Sequence, residues 1–284
     1  MSTLPLSAAT VFYDGLSNQP SLHTPEGIAV DADGNIWCGG GEGELYRLPP
    51  DGSSAEIVAS TGGFVLGIAF DRAGRLYACD LRHRTVVRLD PASGEIDEFP
   101  KLPEGQAISI PNFPVVDHAR GCLYVSDSNE HHVPGGGVWR LDLEDGRGEL
   151  WYGEALDFAN GMALTPEGDA LYVAESWGHR VIRIPIEADG RRGTPEPVIE
   201  NIEGVVDGLV VDHAGSLYLA QYTPSRITRV TADGEPEVVI DDPYHHLLCH
   251  PTNAAFSGDR LLTANLGAHH LTAIAIGIEG NPLL

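Results

Sequence analysis

The run Asn160-Gly-Met-Ala-Leu-Thr165, followed by Pro166-Glu-Gly-Asp-Ala-Leu-Tyr-Val-Ala174, decides the fold of this chain. It consists of a short apolar segment, a turn and a second apolar segment. The turn contains Gly168 and Asp169, residue types that tolerate the backbone conformations of tight hairpins. The Leu-Tyr pair of the second segment suits a half-buried pleated surface. We therefore predict two antiparallel strands here.

The same phrase occurs six times at intervals of 40 to 48 residues. Its copies begin at Glu26, Leu66, Asn112, Asn160, Asp207 and Asn253. A repeat of this length with several strands per unit is typical of a β-propeller blade. We predict an all-β protein, a six-bladed β-propeller with four-stranded blades, in which residues 1–284 form a single domain.

The two ends of the chain predict how the propeller closes. The sixth repeat has only three predicted strands, at residues 252–256, 260–264 and 271–276. Thr10-Val-Phe-Tyr13 precedes the first repeat and reads as a strand without a blade of its own. We expect this N-terminal strand to complete the last blade, because that pairing removes an exposed edge.

Composition excludes several classes of function. The 284 residues include 17 Lys and Arg against 41 Asp and Glu, a formal charge of −24. So acidic a chain disfavours nucleic acid and anionic membranes as partners. No apolar run is long enough to span a membrane, and residues 1–20 lack a secretory signal pattern. The four cysteines are far apart, which favours buried thiols and a cytoplasmic location.

The first position of each repeat predicts a metal site. In a propeller the innermost strands surround the axis, so these six residues meet at one end of the channel. Five of the six carry a side-chain oxygen, and Ca²⁺, Mg²⁺, Mn²⁺ and Zn²⁺ accept such ligands. Taken singly, each of these residues is better explained as a cap of the turn that precedes a strand. Five oxygen-bearing residues at the same position of the repeat instead indicate one bound divalent cation.

Loops on the same face supply candidate residues for substrate binding. They carry aromatic and imidazole side chains, among which we select His131, Trp177, Tyr222 and His246. Asn253, at the start of the sixth repeat, is a further candidate. The alternative interpretation of each histidine is a solvated loop residue.

Three stretches carry a family resemblance that covers essentially the whole chain. They are Pro25-Glu26-Gly27, residues 159–174 and Val206-Asp207-Gly208. Through them the chain resembles the senescence-marker-protein/gluconolactonase/luciferin-regenerating-enzyme family of six-bladed propellers. The resemblance implies that Glu26, Asn160 and Asp207 hold one divalent cation, with Asn112 near metal and substrate.

One departure from the family pattern concerns the substrate. Members that act on sugar lactones have an arginine two residues before the asparagine of blade three, and Asp-Gly after it. Here Ile110 stands before Asn112, and Phe113-Pro114 follow it. We therefore add Ile110 and Phe113 to the expected substrate-binding residues and expect a lactone or ester less polar than gluconolactone.

The resemblance implies a metal-dependent lactonase. The cation would polarise the ester carbonyl and acidify a bound water, with Asp207 as both ligand and general base. Two alternatives stay open: a non-catalytic propeller that binds a metal or ligand, and a phosphotriesterase-like hydrolase. The expected partner is a small-molecule lactone or ester, and the oligomeric state is left open.

Overall fold

Six antiparallel four-stranded sheets make up the computed structural model of this chain, which describes residues 3–231 and 234–280. Each sheet is one blade, and the innermost strands of neighbouring blades contact one another around the axis, including those of blades six and one. The predicted six-bladed β-propeller is therefore confirmed. A 3-10 turn at Leu6–Ala8 precedes the first strand.

The strands of each blade follow one another outwards from the axis. Blade one contains β2 (Ile28–Val30), β3 (Ile36–Gly39), β4 (Glu44–Leu48) and β5 (Glu56–Ser60). Blade two contains β6 (Val65–Phe70), β7 (Leu76–Asp80), β8 (Thr85–Asp90) and β9 (Glu95–Glu98). Blade three contains β10 (Pro111–Asp117), β11 (Cys122–Asp127), β12 (Gly137–Asp142) and β13 (Gly148–Tyr152).

The second half of the chain repeats this plan. Blade four contains β14 (Ala159–Leu164), β15 (Ala170–Glu175), β16 (Arg180–Pro185) and β17 (Glu196–Ile199). Blade five contains β18 (Val205–Val211), β19 (Leu217–Thr223), β20 (Arg226–Val230) and β21 (Pro236–Asp241). Blade six contains β22 (Pro251–Ser257), β23 (Arg260–Asn265), β24 (His270–Ala275) and, outermost, β1 (Ala9–Asp14).

The N-terminal strand closes the ring as predicted. β1 pairs antiparallel with β24, with Ala9 opposite Ile274 and Asp14 opposite His270. Blade six thus combines both ends of the chain, and the edge of β24 is covered.

The hydrophobic core is divided into six clusters, each between two adjacent blades. The repeated Leu-Tyr pairs explain this arrangement, because successive side chains of a strand point to opposite faces of the sheet. Leu123 packs between blades two and three, whereas Tyr124 packs between blades three and four. Three of the cysteines are buried, and all four are free thiols.

Candidate functional site

A β-bulge interrupts the innermost strand in five of the six blades. In blade four, Ala159 pairs with Glu175 and Met162 with Val173, so two residues of β14 lie opposite the single residue Ala174. A bulge of this kind bends a strand and changes the direction of a side chain. The residue pairs in the bulges are Leu66–Gly67, Asn112–Phe113, Asn160–Gly161, Asp207–Gly208 and Thr252–Asn253.

The pairing also corrects the alignment of the sixth repeat. Thr252, rather than Asn253, occupies the register position of Asn160 and Asp207. Asn253 instead takes the second bulge position, where blade four has Gly161 and blade five has Gly208. Aligning the repeats by sequence placed Asn253 at this position, because Asn253-Ala-Ala is similar to the start of Asn160-Gly-Met-Ala.

Five polar side chains converge at the axis, and we call them the oxygen ring. They are Glu26, Asn112, Asn160, Asp207 and Asn253, and each is at least nine-tenths buried. The sixth blade position, Leu66, is apolar and buried. The loops that lead into the blades lie on one side of the oxygen ring. We call this side of the propeller the ring face.

Two serines orient the asparagines of blades three and four. Asn112 Nδ2 donates to Ser128 Oγ at 3.0 Å, and the Ser128 hydroxyl donates to the Ala159 carbonyl of the next blade at 2.6 Å. Blade four repeats this arrangement, with Asn160 Nδ2 on Ser176 Oγ at 3.1 Å. The Ser176 hydroxyl donates to the Val206 carbonyl at 2.6 Å. Each amide nitrogen is thereby held, and its oxygen is left for the axis.

Blade six orients the carboxylate of blade one. Asn253 Nδ2 donates to Glu26 Oε2 at 3.1 Å and to the Glu26 backbone oxygen at 3.0 Å. Thr252 Oγ1 donates to the same backbone oxygen at 2.8 Å. These contacts join blade six, which combines strands from both ends of the chain, to blade one.

Four oxygens of the ring are buried without a hydrogen-bond partner among the described residues. They are the Oδ1 atoms of Asn112, Asn160, Asp207 and Asn253. An unpaired buried acceptor is costly, and such atoms are uncommon in native proteins. A hard cation is satisfied by several such oxygens at once. The donor set therefore fits a divalent cation, with Glu26, Asn160 and Asp207 among the residues that could hold it.

Burial and mutual repulsion change the acidity of the two ring carboxyls. Desolvation, followed by the charge of Asp207, raises the pKa of Glu26 well above its usual value. Desolvation raises the pKa of Asp207 to about 8, although its interaction with the Asn160 amide acts in the opposite direction. Without a cation, the Asp207 carboxyl therefore holds its proton at pH 7, and the same burial disfavours ionisation of Glu26.

Glycines allow the innermost strands to approach closely at the oxygen ring. A Cβ at Gly161 would lie 2.4 Å from the Asp207 backbone oxygen, and one at Gly208 would lie 2.6 Å from Asn253 Oδ1. A Cβ at Gly27 would lie 2.2 Å from the Leu66 backbone oxygen. Real Cβ atoms do not approach so closely, so the repeated glycine is a packing requirement of the ring.

The apolar residues around Asn112 face different surroundings. Ile110 packs against the core between blades two and three, and its backbone nitrogen donates to Asp127 Oδ1 at 2.9 Å. Phe113 packs against the core between blades three and four and lines the central channel.

The loops of blades three and four bring an aromatic group together on the ring face. His131 lies 4.7 Å from Trp177 and 5.6 Å from Phe158, measured between ring centroids. His132 contacts the same tryptophan at 4.4 Å. Trp177 Nε1 is buried without a partner among the described residues. Of the predicted substrate residues, His131 and Trp177 are therefore neighbours.

Tyr222 and His246 each stack against another aromatic side chain. Tyr222 stacks on His250 at 4.5 Å, and His250 stacks on His245 at 4.7 Å. His246 is exposed and stacks against Tyr244 at 5.9 Å.

Backbone strain is concentrated on the ring face. The described non-glycine residues with positive φ are Thr24, Arg84, Asn129, His132, Phe158, His179, Asn201, His245 and His250. All nine lie in loops that lead into a blade or join its second and third strands. Asparagine and histidine adopt this conformation more readily than most residues, whereas β-branched Thr24 and bulky Phe158 adopt it at a cost, and strained residues cluster at functional sites.

A second group of metal-ligand type lies on blade one. His23 Nδ1 is 2.6 Å from Glu44 Oε1 and 3.9 Å from Glu42 Oε2. His23 and Glu42 are exposed, and the short contact is a histidine–carboxylate hydrogen bond. Nothing further in the described residues indicates a cation there.

Sequence reasoning missed Ser128, Ser176 and Thr252. A signal for the serines was present, because each follows its asparagine at the same distance of 16 residues. The role of Thr252 had no such signal, since it contacts blade one from the other end of the chain.

Fold and site together define a class: six-bladed propellers with buried carboxylates and amides around the axis. A family model described as the SMP-30/Gluconolactonase/LRE-like region matches residues 41–266. The chain belongs to this family. A shorter match, at residues 16–48, is to the N-terminal region of strictosidine synthase-like proteins.

Curated relatives include several lactonases. A 6-deoxy-6-sulfogluconolactonase from Pseudomonas putida is 31% identical over 237 residues, which is 78% of this chain and 74% of that protein. A pentonolactonase from Haloferax volcanii is 24% identical over 231 residues, covering 79% of this chain and 74% of that protein.

Solved structures share the fold. A gluconolactonase from Xanthomonas campestris superposes with a TM-score of 0.77 at 20% identity, covering 93% of this chain and 88% of that one. A calcium-binding protein, regucalcin, from Agrobacterium tumefaciens gives 0.76 at 21% identity, covering 93% of both chains. None of the helices among the described residues is long and apolar enough to cross a membrane.

Proposed function

We propose that this protein is a divalent-cation-dependent lactonase that opens a lactone ring with an activated water molecule. The observation that carries the proposal is the oxygen ring, in which four buried oxygens without partners lie with two carboxyls of raised pKa. Such perturbed groups gathered at one place are typical of a catalytic site. The lactonases among the relatives support the same reaction.

Glu26, Asn160 and Asp207 would hold the cation. Their backbones are fixed by the bulges and close glycine contacts, and the Asn160 amide is held by Ser176. A bound divalent cation supplies positive charge that polarises an ester carbonyl and lowers the pKa of water. The same charge favours the ionised forms of Glu26 and Asp207.

Asp207 is the proposed general base. Its carboxylate would take the proton of the attacking water while the carbonyl carbon becomes tetrahedral, and the proton would then pass to the leaving alkoxide. Asn112 would orient the ester, because its amide nitrogen is held by Ser128 and its oxygen is buried without a hydrogen-bond partner among the described residues. These steps require Asp207 to be ionised when the substrate binds.

We further propose that the substrate is less polar than gluconolactone. Ile110 and Phe113 replace polar residues on either side of Asn112. On the ring face, the rings of His131, Phe158 and Trp177 lie within 6 Å of one another. The aromatic rings on the ring face favour an alkyl or aryl substituent, and each methylene they bury stabilises the complex by about 0.8 kcal/mol.

A lactone panel with and without chelator tests both proposals. Metal content is measured in the purified protein, and hydrolysis of gluconolactone is compared with that of δ-lactones carrying alkyl chains of increasing length. We expect activity that is lost on chelation and restored by one divalent cation. We also expect kcat/KM to rise about fourfold per methylene until the surface is filled.

Three other results would each contradict a different part of the proposal. A bound cation with no turnover on any lactone would indicate a non-catalytic propeller. Faster hydrolysis of a phosphotriester than of every lactone would favour the phosphotriesterase alternative. A preference for gluconolactone over all alkyl lactones would overturn the proposed substrate polarity alone.

A further inference from the structure

A cavity lies on the axis, on the side of the oxygen ring away from the ring face. It has a volume of about 670 Å³ and is lined by all six innermost strands. We call it the axial cavity. In each blade, the third residue after the position equivalent to Asn160, which is Thr252 in blade six, is an alanine or valine that is only partly buried: Ala29, Ala69, Val115, Ala163, Val210 and Ala255. The axis is hollow here because these side chains are too short to meet.

Phe113 closes the end of the axial cavity next to the oxygen ring. It directly follows Asn112 and occupies the position at which four other blades have glycine. A Cβ at Gly67 would lie 2.8 Å from Phe113 Cδ2, so the aromatic ring fits because that glycine has no side chain. Phe113 thus lines the cavity and directly follows Asn112 of the oxygen ring.

Two nitrogen donors without partners line the other end of the axial cavity. Arg72 is exposed and has no hydrogen bond or ion pair among the described residues. His118 Nε2 is buried and has no hydrogen-bond partner in the described part of the chain. Burial and the charge of Arg72 lower the pKa of His118, so its ring is neutral at pH 7 and can donate a hydrogen bond.

The two acidic residues that line this end of the cavity already have hydrogen-bond or ion-pair partners within the protein. Asp31 accepts from the side chains of Asn35 and Trp37. Asp71 pairs with Arg75 at 2.6 Å and accepts from the Tyr77 hydroxyl. A chain with 41 acidic and 17 basic residues thus leaves an unpaired guanidinium at the end of its apolar channel. The arrangement complements an anion with an apolar body.

We propose that the axial cavity binds a small amphipathic carboxylate, with its apolar body against the alanine and valine layer and its carboxylate near Arg72 and His118. This site goes beyond the proposed lactonase reaction, because it shares no residue with the oxygen ring. Apolar burial provides most of the affinity, and the arginine provides selectivity for the anion.

Calorimetric titration with octanoate, and with 1-octanol as its neutral counterpart, tests the proposal on the full chain. We expect one octanoate per protein. Ala163→Leu should weaken octanoate binding by more than about tenfold, because the added atoms fill the cavity. Ala29→Leu, on the opposite wall, repeats the test should the first variant fold poorly. Ala92→Leu, on an exposed turn, is the matched control and should bind as the parent protein does.

The charge is tested separately. Arg72→Gln should weaken octanoate about three- to fivefold and leave octanol unchanged, as expected for a partly exposed ion pair. Arg147→Gln, which removes an exposed arginine on an outer turn, should change neither affinity. Equal weakening of octanoate and octanol by Arg72→Gln would overturn the assigned role of the arginine.

Two outcomes would overturn the site itself. One is the absence of saturable octanoate binding. The other is octanoate binding that survives cavity-filling variants but disappears in Asp207→Asn, because the ligand would then lie at the oxygen ring. Loss of lactone turnover in Asp207→Asn with unchanged octanoate affinity would separate the two sites, so the failure of one proposal is distinguishable from the failure of the other.

Discussion

At the scale of single residues, the oxygen ring combines two requirements that oppose each other. Buried Glu26 and Asp207 repel when both are ionised, yet a cation site and a general base need them ionised. The neighbouring amides reconcile these requirements, because Asn160 and Asn253 interact with the carboxyls without adding negative charge. The oxygen ring therefore suits the divalent cation that we propose for it.

Replacing Asp207 by asparagine tests its role as base. Asp207→Asn keeps the size of the side chain but removes its basicity, so we expect kcat for the preferred lactone to fall by about 10²- to 10⁴-fold. Circular dichroism and the melting temperature should show a folded protein. The exposed turn variant Asp51→Asn is the control and should retain full activity. Turnover undiminished in Asp207→Asn would refute the assignment.

A methyl group at Gly161 tests the close approach of blades four and five. The added Cβ would lie 2.4 Å from the Asp207 backbone oxygen, so Gly161→Ala must displace that residue. We expect a loss of stability of about 1–3 kcal/mol, together with weaker cation binding, measured by denaturant unfolding and calorimetry.

Gly153→Ala is the matched control for this change. Its Cβ would meet only the end of the Leu150 side chain, at 3.0 Å, and should alter neither quantity measurably. Cation affinity unchanged in Gly161→Ala would show that the glycine does not position Asp207.

At the scale of elements, the bulges and the N-terminal strand have different tasks. The bulges place polar residues at the axis without disturbing the apolar alternation of the same strands. β1 contributes no residue to the oxygen ring, but it buries Ala9 and Tyr13 against the cores on either side of blade six. The site thus depends on β1 through the integrity of the ring of blades.

Deleting residues 1–15 removes the outermost strand of blade six. We expect a lower melting temperature and a less cooperative unfolding transition, because β24 loses its partner and two core clusters lose buried side chains. Calorimetry provides the measurement. A chain shortened only by residues 1–3 retains β1 and should melt nearly as the full chain does. Unchanged melting of the longer deletion would contradict the closure.

At the scale of the whole molecule, the raised pKa of Asp207 links the stability of the fold to pH. Asp207 has a pKa of about 8 in the folded chain, against 3.8 as its usual value. Between these values the folded protein holds a proton that the unfolded chain has released. The free energy of unfolding therefore falls as pH rises from about 4 to about 8. Below pH 3.8 Asp207 is protonated in both states, and no stability is lost through its ionisation.

The linkage predicts a pH-dependent effect of chelation. In chelated protein, we expect the free energy of unfolding to fall from pH 4 to pH 8 by up to about 1.4 kcal/mol per pH unit more in the parent than in Asp207→Asn. Adding the cation at pH 8 should reverse the loss, because the cation binds the ionised carboxylates. Urea titrations across this range provide the measurement, and equal slopes in both proteins would contradict the raised pKa.

Sequence alone determined the architecture, because a propeller is built from local units. Each blade is recognisable from alternating apolar residues and from turn residues that lie close together in sequence. The predicted strand at residues 10–13, which had no blade of its own, indicated how the ring closes. Ring positions such as Asn160 and Asp207 followed from the period of the repeat. The ring positions of five blades were therefore predictable before any contact was known.

Only the tertiary structure decided what surrounds those positions. The bulge in blade six moved Thr252 to the ring register, and Ser128 and Ser176 proved to hold the asparagines against the next blade. The axial cavity depends on six small side chains from six strands. These features depend on contacts between blades, which a pattern within one repeat does not encode because the contacting residues are distant in sequence.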